Sequence, residues 1–224
     1  MAKLLEGMEM NKYFQATLTG LLLASPGTSF AAGSPIGTYR LQDGPDVASE
    51  IALHADGTFQ YFLMAGSLDE ASKGRWTAKG KALHLVTIPK PVAAVFSAGT
   101  VARSTDAPLI LHVVGQKGGG IAAVDLKVGF DAGKPVEDYT QDYGWTLSTD
   151  EKRVPRWVEF GVPIYQLRSQ RFVIEVSKGN VLTFVLTPND LGVIDFTGWQ
   201  IDIQPGKLIV HRGEQLLTYE AAGR

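Results

Sequence analysis

The chain of 224 residues contains no cysteine. That excludes a disulfide framework, a thiolate zinc site, a cysteine nucleophile and a lipid-anchored cysteine behind a signal sequence. It also lacks any excess of one charge: 21 Lys and Arg stand against 23 Asp and Glu, for a formal net charge of −2. With both signs interspersed, no strongly basic surface is expected, which argues against nucleic acid or an anionic membrane as partner. Catalytic motifs are missing too. No Gly-x-Ser-x-Gly elbow occurs, and no Asp-x-Asp-x-Asp-Gly calcium loop. The four histidines, His54, His84, His112 and His211, show no His-x-His or His-x-x-x-His spacing that would bring two onto one metal. Each sits beside apolar neighbours, and strand alternation turns His84, His112 and His211 outward. Gly118-Gly119-Gly120 is not followed by Lys-Ser or Lys-Thr, so it reads as hairpin chemistry rather than a phosphate loop. No catalytic residue, metal ligand or cofactor is predicted.

What is present begins with an export signal. From Met10 the chain runs Met-Asn-Lys, then an apolar stretch from Tyr13 to Ala24, then Ser25-Pro26-Gly27 and Ser29-Phe30-Ala31. Lys12 supplies the positive flank, the apolar stretch is too short to span a bilayer, and Ser29 and Ala31 are small residues where a signal peptidase reads. Residues 1–31 are therefore expected to be a signal peptide cleaved after Ala31, with Met1–Glu9 preceding a better start at Met10. Its removal leaves 224 − 31 = 193 residues, enough for one large β domain or two small ones, with no further integral span. An exported chain without disulfides must be held by its core. That combination fits a Gram-negative periplasm, or secretion.

The most legible architecture is Leu53 to Trp76. Asp56-Gly57 separates two runs that can lie extended, and a tight hairpin turn needs the positive φ that glycine supplies. Around it, Ile36–Leu41, Glu50–His54, Thr58–Leu63, Gly74–Thr77 and Leu83–Ile88 read as strands, whereas the polar segment Gly66–Lys73 reads as a loop. This order of Gly37 and Tyr39, then Asp56-Gly57 and Phe59, then Gly74 and Trp76 resembles small lipocalin-like domains of exported bacterial proteins. The resemblance implies a β-barrel scaffold and says little of function. Five strands are too few for the eight of a closed lipocalin barrel, which leaves an internal cavity open to question.

Residues 92–107 read as a connector. Beyond it, Leu109–Val114 and Ile121–Phe130 are strongly extended, the second with Val124, Leu126, Val128 and Phe130 on one face. Val128-Gly129-Phe130 followed by Asp131-Ala132-Gly133-Lys134-Pro135-Val136 resembles the start of prealbumin-like or carboxypeptidase-regulatory β-sandwich modules, over residues 124–145. Such modules are mostly accessory or binding units, which leans away from catalysis. Nearby, Glu137, Asp138, Asp142, Asp150 and Glu151 crowd among Tyr139, Tyr143, Trp145 and Trp157. A sugar-cleaving enzyme needs two facing carboxylates with aromatic platforms; a solvated acidic loop needs only the composition.

From Arg171 the strands Arg171–Val176, Val181–Leu186, Gly198–Ile203, Lys207–His211 and Glu214–Tyr219 follow. Gly57 to Trp76 and Gly179 to Trp199 show a similar order of glycine turn, Phe-bearing strand and Trp strand, as an internal duplication would. The expected fold is all-β: two antiparallel meander or partial-barrel units, residues 33–91 and 108–224, with a sandwich-like segment over residues 108–170. The expected function is a periplasmic module binding a small ligand or a protein, with Tyr61, Trp76, Tyr139, Tyr143 and Trp145 as candidate ligand contacts. A hydrolase using carboxylates in residues 137–151, and an assembly subunit pairing through sheet edges, are the alternatives.

Overall fold

The computed structural model describes residues 34–42 and 46–223; the expected signal peptide and the residues 43–45 lie outside that range. The described chain is all-β, with one short 3₁₀ turn at Pro163–Tyr165. It divides into two compact units, one of residues 93–191 and one assembled from the chain on both sides of it.

The discontinuous unit is a closed barrel. The first five strands are β1 (Gly37–Leu41), β2 (Val47–Leu53), β3 (Thr58–Ala65), β4 (Leu68–Lys79) and β5 (Ala82–Thr87). The inserted unit carries β6 (Val95–Ala102), β7 (Ile110–Gly115), β8 (Asp125–Phe130), β9 (Val136–Tyr139) and β10 (Trp145–Thr146). It continues with β11 (Pro155–Val162), β12 (Leu167–Arg168), β13 (Phe172–Val173) and β14 (Val181–Thr187). The chain then returns as β15 (Ile201–Gln204), β16 (Lys207–Arg212) and β17 (Gln215–Ala221), and the barrel order is β1-β17-β16-β15-β5-β4-β3-β2. The five N-terminal strands thus do not stand alone. Three C-terminal strands complete the eight that closure requires.

The Asp56-Gly57 turn forms as its sequence dictates. Gly57 takes φ +80°, and the Asp56 carboxylate accepts bonds from the Thr58 N–H and hydroxyl at 2.9 and 2.6 Å. Alternation then sends Ile51, Leu53, Phe59, Tyr61, Leu63, Leu83, Leu85, Ile201, Leu208, Val210 and Tyr219 into one core. Gly66–Lys73 is not a loop: only Gly66-Ser67 turns, and β4 pairs with β3 from Leu68↔Ala65 to Arg75↔Thr58. The segment looked loop-like because two of its inward residues, Glu70 and Ser72, are polar.

The inserted unit is a sandwich. One sheet runs β10-β7-β14-β6, with β14 antiparallel to β6 and parallel to β7; the other runs β12-β11-β8-β9, with β13 also on β11. Leu111, Val113, Leu126, Val128, Val158, Phe160, Leu182, Phe184 and Leu186 form a core shared by both sheets. The structure draws the boundaries differently from the sequence pattern. Residues 95–102 of the expected connector are a strand, and Val181–Thr187 belongs to the sandwich rather than to the final β unit. Gly179 and Trp199 therefore lie in different units, so the two similar-looking stretches are not matching folded units.

Candidate functional site

A barrel of eight strands has an interior that side chains just fill or that holds one small ligand. Here the chain fills it. The barrel seam between β5 and β15 holds only two residue pairs, Ile201↔Leu83 and Asp202↔Ala82. Beyond them the returning segment 192–196 docks along β4 through Ala71 N–H to Gly192 O and Ile194 N–H to Ala71 O, both 2.9 Å. Thr87 Oγ1 donates to the Ile194 carbonyl and accepts from the Phe196 N–H, each at 2.9 Å. These bonds deliver Phe196, 1% exposed, into the core, edge-on to Phe59 and Tyr61 with ring centroids 5.7 and 4.8 Å away. Trp199 lies against it at 4.9 Å. Edge-to-face pairs add about 0.5–1.5 kcal/mol each beyond the area they bury, so the plug is a stable part of the barrel.

The same core contains a charge. Glu70, buried on β4, receives both guanidinium nitrogens of Arg212, Nη1 at 2.9 Å and Nη2 at 2.5 Å, and the Tyr61 hydroxyl at 3.0 Å. Tyr219 and Ser49 stand 2.8 Å apart, and Ser49 Oγ donates to the Phe62 carbonyl. Burial raises both the Tyr61 and Tyr219 hydroxyls above the ordinary tyrosine value, Tyr61 well above it with the Tyr219 and Glu70 charges adding to the effect. Among the described residues no buried side-chain nitrogen or oxygen lacks a partner.

The five candidate ligand contacts are divided between the two units. Tyr61 is core and bonds Glu70. Trp76 packs at the barrel margin and clamps the hairpin turn, its Nε1 donating to the His54 carbonyl at 2.9 Å and its N–H bonding Gly57 O. Tyr139, Tyr143 and Trp145 belong to the other unit, where Tyr139 and Tyr143 are exposed and Trp145 is buried with Nε1 on Asp138 Oδ2 at 2.8 Å. Several carboxylates of residues 137–151 also have partners. Lys127 sits 2.6 Å from Glu137 and draws its carboxyl down, and Arg153 holds Glu151 at about 2. Among the described residues no three of His, Asp and Glu are grouped to hold a metal.

A concavity does exist on the sandwich, a groove of about 560 Å³ on the outer face of the β9-β8-β11-β12 sheet. Register builds it. Tyr139 lies opposite Asp125, Asp125 opposite Gly161, and Gly161 opposite Arg168, one row across four strands. Gly161 has no side chain, so the row has a notch between an acid and a base. In the next row Lys127 lies between Glu137 and Glu159, its ammonium on Glu137, while Arg171 takes Glu159 at 2.8 Å and stacks over Trp157 at 4.1 Å. Trp157 in turn lies over Gly129, where its ring leaves no room for a Cβ. Among the described residues, the side chains of Asp125 and Arg168 take part in no hydrogen bond or ion pair, and both residues bond only through the backbone of their ladders. Sequence reasoning missed this row because its members are single residues on four strands, joined only by register.

The chain matches no protein-family model, no curated protein and no solved structure. Its class is therefore set by architecture alone: an eight-stranded barrel interrupted by a β-sandwich.

Proposed function

We propose that this protein is an exported, non-enzymatic binding module that engages a protein partner through the groove of its inserted sandwich and not through the barrel lumen. The observation that carries the reading is the row Tyr139, Asp125, Gly161, Arg168. Two strand spacings put the uncommitted carboxylate and guanidinium on strands roughly 10 Å apart with an empty position between them. An extended polypeptide suits that spacing: a carboxylate can take the Arg168 fork, an ammonium or guanidinium can take Asp125, and the main chain can lie over Gly161. Tyr139, next to Asp125 in the row, is exposed beside the groove and available to a partner that extends past it. Of the other charges lining the groove, Glu137 and Glu159 are held by Lys127 and Arg171 and Asp138 accepts from Trp145, which leaves selectivity to Asp125 and Arg168. The filled barrel supports the same reading from the other side, because Phe196, Phe59 and Tyr61 pack where a carried small molecule would lie.

The test is a photo-crosslinking amino acid placed at position 168 in cells that produce the protein, with the same group at His84 on the outside of the barrel as control. Discrete protein adducts are expected at position 168 and absent at 84, and Asp125→Arg should abolish them. Adducts at both positions alike, or adducts insensitive to Asp125→Arg, would contradict the groove.

A further inference from the structure

The sandwich has a second face that differs in kind from the groove. The four strands β6, β7, β10 and β14 contain no Asp, Glu, Lys or Arg on either side. Inward they supply Phe96, Leu111, Val113, Leu182, Phe184 and Leu186 to the core. Outward, register lines up Ser97, Val185 and Val114 in one row and Val95 with Thr187 in the next. The sheet ends in β6, eight residues long and free of charge and proline, with Val95 49% and Val101 53% exposed.

Natural sheets blunt their edges with charge, shortness or closure. The rest of this protein does so: the barrel is closed, β10, β12 and β13 are two residues each, and β9 carries Glu137 and Asp138. Among the described residues, the outer edge of β6 has none of these protections. Its one irregularity is a register shift against β14 near Gly99, which leaves Val95–Ala98 regular.

We infer that β6 is a self-association edge, on which a second copy of this chain pairs its own β6 antiparallel to make one continuous sheet. Charge argues for a copy as occupant. A neutral edge and face meet their own image with no like-charge repulsion, and they offer a foreign partner no charge to select it by. Symmetry narrows the register. A two-fold axis perpendicular to the sheet puts each residue opposite one on the same face, so the axis must pass through a residue position. Centred on Ser97, it sets Ser97 against Ser97, Phe96 against Ala98, and the Val95 side chains on one outer face. The groove lies on the other sheet, so this interface stands or falls independently of the proposed function.

The experiment is sedimentation velocity of the full mature chain over a wide concentration range, with two surface variants and one cysteine variant. The native chain is expected to show a concentration-dependent monomer–dimer equilibrium. Val95→Lys and Val185→Lys, which leave the inward residues untouched, should shift it to monomer with an unchanged circular dichroism spectrum; Asp125→Lys in the groove should leave it dimeric. Because the chain has no cysteine, Ser97→Cys introduces the only one, and mild oxidation should trap a disulfide-linked dimer. This keeps the question answerable if a lysine variant misfolds. A monomer at every concentration, a dimer indifferent to both lysines, or a dimer that Ser97→Cys fails to link would each overturn the inference.

Discussion

Phe196 stands edge-on to Tyr61 at 4.8 Å between ring centroids, so the place a barrel could reserve for a ligand is taken by the chain that closes it. Phe196→Ala should destabilise the protein by about 3–5 kcal/mol, the range for truncating a buried aromatic. Denaturant melts followed by tryptophan fluorescence measure it, and a loss under about 1 kcal/mol would mean that the plug is not part of the packed core.

The Tyr61–Glu70–Arg212 cluster predicts a second loss. Arg212→Ala leaves a buried carboxylate with only a tyrosine hydroxyl. The cost should be about 3 kcal/mol, the low end for breaking a buried pair, since a quarter of the Arg212 side chain remains in water. Arg212→Ala combined with Glu70→Gln should recover part of it, as removal of both charges relieves the desolvation that one alone imposes. Equal melting temperatures for the single and double variants would contradict the pairing.

Alkaline pH provides a third test. Tyr39, Tyr61 and Tyr219 are all raised above the ordinary tyrosine value, chiefly by burial. Folded tyrosines then keep protons that the unfolded chain gives up, so their stabilisation is complete below about pH 10 and falls as pH rises beyond it, by roughly 1.4 kcal/mol per pH unit per tyrosine. Melting curves from pH 8 upward should steepen their decline near pH 10, and Tyr61→Phe should reduce the slope. A slope unchanged in Tyr61→Phe would contradict the burial of its hydroxyl.

Much of this fold is legible in the residues, and the exceptions have physical causes. Asp56-Gly57 announces its turn because few residues other than glycine tolerate that φ. Glu70 and Ser72 break the apolar alternation of β4 because the interior they face is polar at that point, supplied by Arg212 from the far end of the chain and by Thr87 on the neighbouring β5. Phe196 is one aromatic among Asp195, Thr197 and Gly198, with no periodicity to mark it. The strand of Val181–Thr187 is plain, but its membership of the sandwich rests on pairing with β6 and β7, far away in the chain. The groove row fails for the same reason.

Export is tested by the mature N-terminus. Produced from Met10 in a Gram-negative host, the protein should appear in the periplasmic fraction starting at Ala32. Intact mass and terminal sequencing read this directly, and a cytoplasmic chain retaining residues 10–31 would contradict it.

The crowding of Trp157 over Gly129 makes a local prediction. Gly129→Ala places a Cβ where the ring now lies, so Trp157 must swing off the sheet and lose its stack with Arg171. Overpacking of this kind costs about 1–3 kcal/mol, and near-ultraviolet circular dichroism should change with it. An unaltered spectrum would mean that Trp157 does not rest there.

The central claim is that binding belongs to the surface because the barrel is filled from within. It is tested most directly by titrating the native protein with an environment-sensitive apolar fluorophore of the kind that lights up in open β-barrels. The account predicts no saturable signal from the native chain and stoichiometric binding once Phe196→Ala empties the plug position. Saturable one-to-one binding by the native protein would contradict it.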